Sequence, residues 1–128
     1  MIRFLGERGA ATAVEVAMLA PVLILMIFGV IESGRALWVL NTIQRAAEST
    51  TRYAAVNSSA TDSTLQTQAQ TQAVGLNTSN YTVTITHDTT GGVNFVTVSV
   101  DYQFTVAVDI IGWGTIGLSG RSRAPFNN

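Results

Sequence analysis

A chain of 128 residues that commits part of its length to one apolar run has material left for a single small globular piece, which excludes a large multidomain machine. Seven arginines, no lysine and eight acids leave a net charge of −1, so there is no basic field for nucleic acid and no cluster of arginines to make one locally. The absence of cysteine rules out a disulfide framework, a zinc-thiolate centre and a thiol nucleophile, while the redox compartment stays open.

The first nine residues, MIRFLGERG, form a short, mildly basic head. From Ala10 to Ile31 the only ionisable residue is Glu15. Those roughly 22 residues rise about 33 Å as a helix, enough for a hydrocarbon core of ~30 Å. At the bilayer centre an ionised carboxylate costs roughly 2.5–3.5 kcal/mol even on lenient insertion scales, so Glu15 taken alone reads as an acid near the membrane edge that snorkels or stays protonated, with a role in assembly as the alternative. Pro21 frees the carbonyl of Ala17 and predicts a local kink, which a lipid-embedded helix tolerates. Arg3, Arg8 and the terminal amine precede the span, whereas Glu32 and Arg35 cancel just after it. The positive-inside rule therefore weakly favours a cytoplasmic N-terminus.

Past the span the helical pattern changes character. Leu37, Leu40, Ile43, Ala47, Thr50 and Ala54 recur at three- and four-residue spacing, with Arg45, Glu48 and Arg52 between them. A helix continuous from Ala10 to about Val56 would be roughly 70 Å long and would need a packing partner. NSSATDST, residues 57–64, is a polar break in which Thr61 or Asp62 can cap a second, thin surface helix through LQTQAQTQAVGL, with Gly75 as its stop; a flexible polar linker is the alternative to this short helix.

The C-terminal half alternates with a period of two. Tyr81, Val83 and Ile85 oppose Thr82, Thr84 and Thr86; Val96, Val98, Val100, Tyr102, Phe104, Val106 and Val108 oppose Thr97, Ser99, Asp101, Gln103, Thr105 and Asp109. DTTGG, residues 88–92, supplies the turn between them, and a Gly-rich loop leads to a third strand around Thr115–Arg123. The expected fold is α+β, an antiparallel sheet whose apolar face is covered by the amphipathic half of the long helix. His87 and Asp88 near the turn lack a third ligand in sequence and read as a solvated strand end, and the serines and threonines lack a partner base. No catalytic, metal or cofactor site is expected.

A long N-terminal helix, apolar then amphipathic, on a C-terminal antiparallel sheet is the plan of type IV pilins. The stretch from Arg8 to Ala55 resembles the TadE-like pseudopilins and minor pilins of tight-adherence (Tad, Flp) pili. The motifs that carry the resemblance are Arg8-Gly9-Ala10, Val14-Glu15, Ala20-Pro21, Glu32 with Gly34 and Arg35, and Arg52-Tyr53-Ala54. The closing GTIGLSGRSRA is similar to the family's last strand, and the middle of the chain has no such motif. The resemblance implies a leader removed by a membrane-embedded prepilin peptidase on the cytoplasmic side. Cutting after Gly9 makes Glu15 the sixth residue of the product; cutting between Ala10 and Ala11 makes it the fifth, the family's usual position, and is narrowly preferred. It also implies that Glu15 meets the freed amine of a neighbouring helix in a low-dielectric setting, fixing register as subunits stagger.

On that reading the chain divides into a leader (1–10), a long helix (11–56, transmembrane to about 31), a polar linker with a short helix (57–80) and a β domain (81–128). The expected partners are the prepilin peptidase, other pilins and pseudopilins, the inner-membrane pilus platform and membrane lipid, in a multi-subunit filament used for adhesion or secretion. The expected location is the inner membrane, single-pass, with the β domain outside the cytoplasm. Pro21 would permit local unwinding in a filament, and Glu32, Gly34 and Arg35 would mark the membrane exit or touch a neighbour. The rival is a signal-anchored periplasmic protein whose sheet binds a ligand. A secreted protein with a cleaved signal peptide is disfavoured because no Ala-x-Ala follows Ile31. An enzyme ranks last.

Overall fold

The computed structural model describes residues 3–107, 112 and 114–126, with side chains from Gly9 onward. The head's side chains up to Arg8, and Val108, Asp109, Ile110, Ile111 and Trp113 of the expected strand end and loop, lie outside the described residues. Among the described residues the order is α1 (Arg3–Val56), α2 (Asp62–Gln72), a 3-10 turn (Thr78–Asn80), β1 (Tyr81–Thr90), β2 (Val93–Thr105) and β3 (Thr115–Pro125). The chain divides into two compact units, Met1–Gly34 and Arg35–Asn128.

The first unit is the opening part of α1. The helix begins at Arg3 rather than near Ala10. The glycines of the head each cost about 1 kcal/mol in a helix but do not forbid it. Pro21 sits inside it without ending it. The apolar side chains face outward all the way round: Met18 is 75% exposed, Val30 73% and Leu23 58%. A helix that is greasy on every side has no preferred solvent face and must be covered by lipid or by other helices.

The second unit contains the core. In β1 and β2 the alternation read from the sequence holds except at Thr97, which is buried as well: Val96, Val98, Val100 and Phe104 are buried, with Tyr81, Val83, Ile85 and Tyr102 packed beside them. The strands run antiparallel in the order β1-β2-β3, in a register that pairs Tyr81 with Tyr102 and Val98 with Ser122. Between β1 and β2 the turn is tighter than DTTGG. Thr90 pairs with Val93, and Gly91 and Gly92 alone make the loop with φ of 63° and 79°. Positive φ at both positions is what a two-residue hairpin needs and what only glycine adopts without cost.

The amphipathic half of α1 joins that core through Val39, Ile43, Ala46, Ala47 and Ala54. Two residues of the expected stripe do not follow it. Leu37 is 60% exposed and Leu40 39%, whereas Val39 is buried. At about 100° per residue Leu37 stands about 120° from Ile43 around the helix, and three-residue spacing carried the pattern off the buried face. Close approach is made possible by alanine on the helix and by Gly120 on β3, where a Cβ would lie 2.7 Å from the backbone nitrogen of Gln44.

Helix α2 starts as expected, with the Thr61 hydroxyl accepting from the Thr64 N–H at 3.3 Å. It is less peripheral than a thin surface helix. Leu65, Ala69 and Ala73 are buried in the core, while Val74 is left exposed. Gly75, at φ +81°, follows the helix end.

Candidate functional site

Three features could carry function: the outward-facing apolar helix with its acid, the helix segment that follows it, and the ends of the sheet. In the first unit, Gly9, Ala10, Ala11 and Glu15 all lie on α1 and all are exposed, as is Pro21. Glu15 stands between Val14 and Val16, which are 57% and 59% exposed, so its carboxyl shares an apolar surface. The helix is long and apolar enough to cross a membrane by length and composition.

At the junction the Ser33 hydroxyl donates to the Gly29 carbonyl at 2.8 Å, a local back-bond that ties the last turn of the apolar run. Glu32 is half-buried, Gly34 has open space where a Cβ would be, and Arg35 opens the second unit. Arg35 stacks on a ring of its own chain, with its guanidinium carbon 5.1 Å from the centroid of Phe104. A cation held over an aromatic face at that distance is attracted by the ring quadrupole. Arg35 thereby fixes one wall of a cleft of ≈ 420 Å³. No local pattern of residues announces this cleft, because its walls come from α1, the turn before β1, and β2.

The far end of the sheet is polar. His87 and Asp88, expected as a solvated strand end, each have a partner from another element. His87 Nε2 lies 2.8 Å from Asp62 Oδ1 in the first turn of α2, and its ring meets Phe126 edge-on at 5.3 Å. Asp88 pairs with Arg123 of β3, whose guanidinium crosses the Phe95 ring at 3.9 Å. These contacts staple α2, β1 and β3 together. No group of three or more potential metal ligands is found among the described residues.

Gln44 makes a contact no sequence pattern announces. Its Nε2 donates to the Arg121 carbonyl at 3.1 Å, and its Oε1 accepts from the Arg121 N–H at 3.0 Å. One side-chain amide thus occupies the place of a strand residue beside β3, closing part of an edge that would otherwise invite pairing with another chain. Tyr81 Oη donates to the Ala69 carbonyl at 2.9 Å, fastening α2 to β1, and burial pushes its phenol up to about 12.

An outward-facing apolar helix that turns amphipathic and packs on a three-stranded antiparallel sheet is the α+β layout of a type IV pilin. Within that class, residues 10–52 match the family model described as TadE-like protein. That stretch of the chain is similar to TadE-like proteins. No curated protein and no solved structure matches the chain.

Proposed function

We propose that this protein is a minor pilin or pseudopilin, a structural subunit of a Tad-type pilus or secretion machine that joins its neighbours through α1 and has no catalysis of its own. The observation that carries the reading is the coincidence of the TadE-like stretch with a helix that is apolar on every side yet holds Glu15. Lipid alone can cover such a surface, but lipid gains nothing from a carboxylate. A bundle of similar helices does, when a neighbour brings a freed α-amino group to it in a low-dielectric setting.

In this reading a prepilin peptidase cuts at Gly9-Ala10 or Ala10-Ala11, leaving Glu15 sixth or fifth. The shortened helix stays in the inner membrane with its N-terminus cytoplasmic until the platform draws it into a filament with other pilins. Pro21 lets the helix unwind locally there. Glu32, Gly34 and Arg35 mark the exit from lipid, and the β domain faces outward for adhesion or secretion. The test is to follow Glu15→Ala through two steps separately. The variant is expected to insert in membranes like the wild type and to lose co-purification with the other pilins at least tenfold. Assembly at wild-type level would refute the role of Glu15.

A further inference from the structure

The cleft beside Arg35 lies wholly in the second unit, with Trp38 from α1, Leu76 and Asn80 from the segment before β1, and Tyr102, Phe104 and Thr105 from β2. At ≈ 420 Å³ it falls within the usual size of a ligand site, about 300–1,000 Å³. Trp38 is 52% exposed while the edge of its ring lies against Gly75, where a Cβ would be 3.0 Å from Cη2. The bare backbone at Gly75 thus gives the indole a seat and leaves half of it open.

Four polar groups of this lining have no hydrogen-bond partner among the described residues: the Trp38 indole N–H, the Asn80 side-chain amide, the Tyr102 phenol and the Thr105 hydroxyl. The indole only donates, the amide donates and accepts at different atoms, and each hydroxyl does either. Beside them stand the flat bodies of Trp38 and Tyr102 and the side chain of Leu76. The lining holds one ionised side chain among the described residues, Arg35, and that one is already engaged, over the Phe104 ring. Charge therefore does not choose the ligand.

What matches is a molecule with an apolar face for the rings and an edge of groups that donate as readily as they accept. A proline-rich segment suits the rings but has no N–H at proline, so the Asn80 carbonyl oxygen and the acceptor side of both hydroxyls go unmet. An aliphatic chain would leave all four groups desolvated and unpaired. A sugar ring presents C–H groups on its faces and hydroxyls around its edge, and each hydroxyl both donates and accepts. We infer that the cleft binds a neutral saccharide, with one ring on the open part of the Trp38 indole and its edge hydroxyls bonded by Asn80 and Tyr102. The site belongs to the second unit alone and takes its ligand whether or not the chain joins a pilus.

Full-length protein in micelles of a zwitterionic detergent, whose headgroup is not itself a sugar, tests this by saturation-transfer NMR read on the saccharide's own protons. Of cellobiose, maltose and diacetylchitobiose, at least one is expected to show saturable transfer at millimolar concentration, strongest at its C–H protons. Trp38→Ala should weaken that binding at least tenfold through loss of the stacking surface, and Trp38→Phe should keep part of it. Asn80→Ala should weaken it about fivefold, the contribution of about one hydrogen bond. Should Trp38→Ala fail to fold by circular dichroism, Asn80→Ala carries the same test from a half-buried position. Leu37→Ala, which trims exposed apolar surface outside the lining, should change nothing. No transfer to any of the three sugars overturns the site, and so does an equal loss in Leu37→Ala, which would mean unspecific apolar contact. Cellobiouronic acid binding more than tenfold tighter than cellobiose reassigns the cleft to anions, and displacement of the sugar by an equal concentration of a polyproline peptide reassigns it to protein.

Discussion

Gly120 and Thr50 illustrate how single atoms set the fit between α1 and the sheet. At Gly120 a methyl group would meet helix backbone on three sides, at 2.7 Å from Gln44 N, 2.8 Å from Ile43 C and 2.9 Å from Gln44 Cα. Backbone cannot swing aside as a flexible side chain can. Gly120→Ala is therefore expected to destabilise the second unit by about 2–3 kcal/mol, read from denaturant unfolding of the full chain in detergent micelles. Thr50 presents the opposite case. It is fully buried, and its Oγ1 has no hydrogen-bond partner among the described residues, while its neighbour Thr51 donates to the Ala47 carbonyl at 2.7 Å. Thr50→Val keeps the shape and removes the unpaired hydroxyl. It should raise the unfolding midpoint by an amount worth about 1 kcal/mol, whereas Thr51→Val should not.

Between elements, apolar and polar contacts work together: α1 packs on the sheet through its apolar face and adds the Gln44–Arg121 hydrogen bonds, and α2 buries Leu65 and Ala69 while polar groups hold both its ends. Near its start Asp62 meets His87, and toward its end the Ala69 carbonyl accepts from Tyr81. The Tyr81 phenol, raised from 10.0 to about 12 by desolvation, binds its proton more tightly folded than unfolded. The folded state therefore keeps its full contribution below pH 10 and loses it as pH climbs from 10 toward 12. An alkaline titration followed by circular dichroism should show stability falling across that window, and Tyr81→Phe should flatten the slope.

Gln44 belongs to this scale too. Gln44→Ala would reopen the β3 edge at Arg121, cost about 1–2 kcal/mol and increase concentration-dependent association, measurable by light scattering.

The sheet was legible from the chain because a period of two over Tyr81–Ile85 and Val96–Phe104 admits only one set of inward faces. The apolar helix and the cap at Thr61 were legible for similar local reasons. What was not legible depends on residues distant in sequence. Leu37 and Leu40 fitted a three-residue spacing but turned away from the core. The burial of Ala69 and Ala73 depends on where α2 lands. The Gln44–Arg121 pair and the Arg35–Phe104 stack join positions far apart along the chain. Gly120 did carry a local hint, an isolated glycine within an alternating strand, which marks a close backbone approach. For the candidate site, Glu15 was conspicuous as a lone acid in an apolar run, whereas the cleft beside Arg35 exists only once three segments converge.

For the molecule as a whole, the two units have opposite requirements. Arg35–Asn128 buries a core of its own, but in the first unit nearly every described apolar side chain, from Ala10 onward, is exposed. The core of the second unit therefore forms from its own residues, whereas solubility of the whole chain should depend on what covers the first unit. The proposed life cycle joins them: insertion, trimming, then exchange of lipid for neighbouring helices around Glu15. Trimming is the step that creates the amine Glu15 is to meet, so the claim stands or falls there. The most direct measurement is the N-terminal residue and intact mass of the protein recovered from membranes of cells that carry the prepilin peptidase. A chain beginning at Ala10 or Ala11 is expected; one still beginning at Met1, or one beginning beyond Ile31, would rule out trimming as the source of the amine that Glu15 meets.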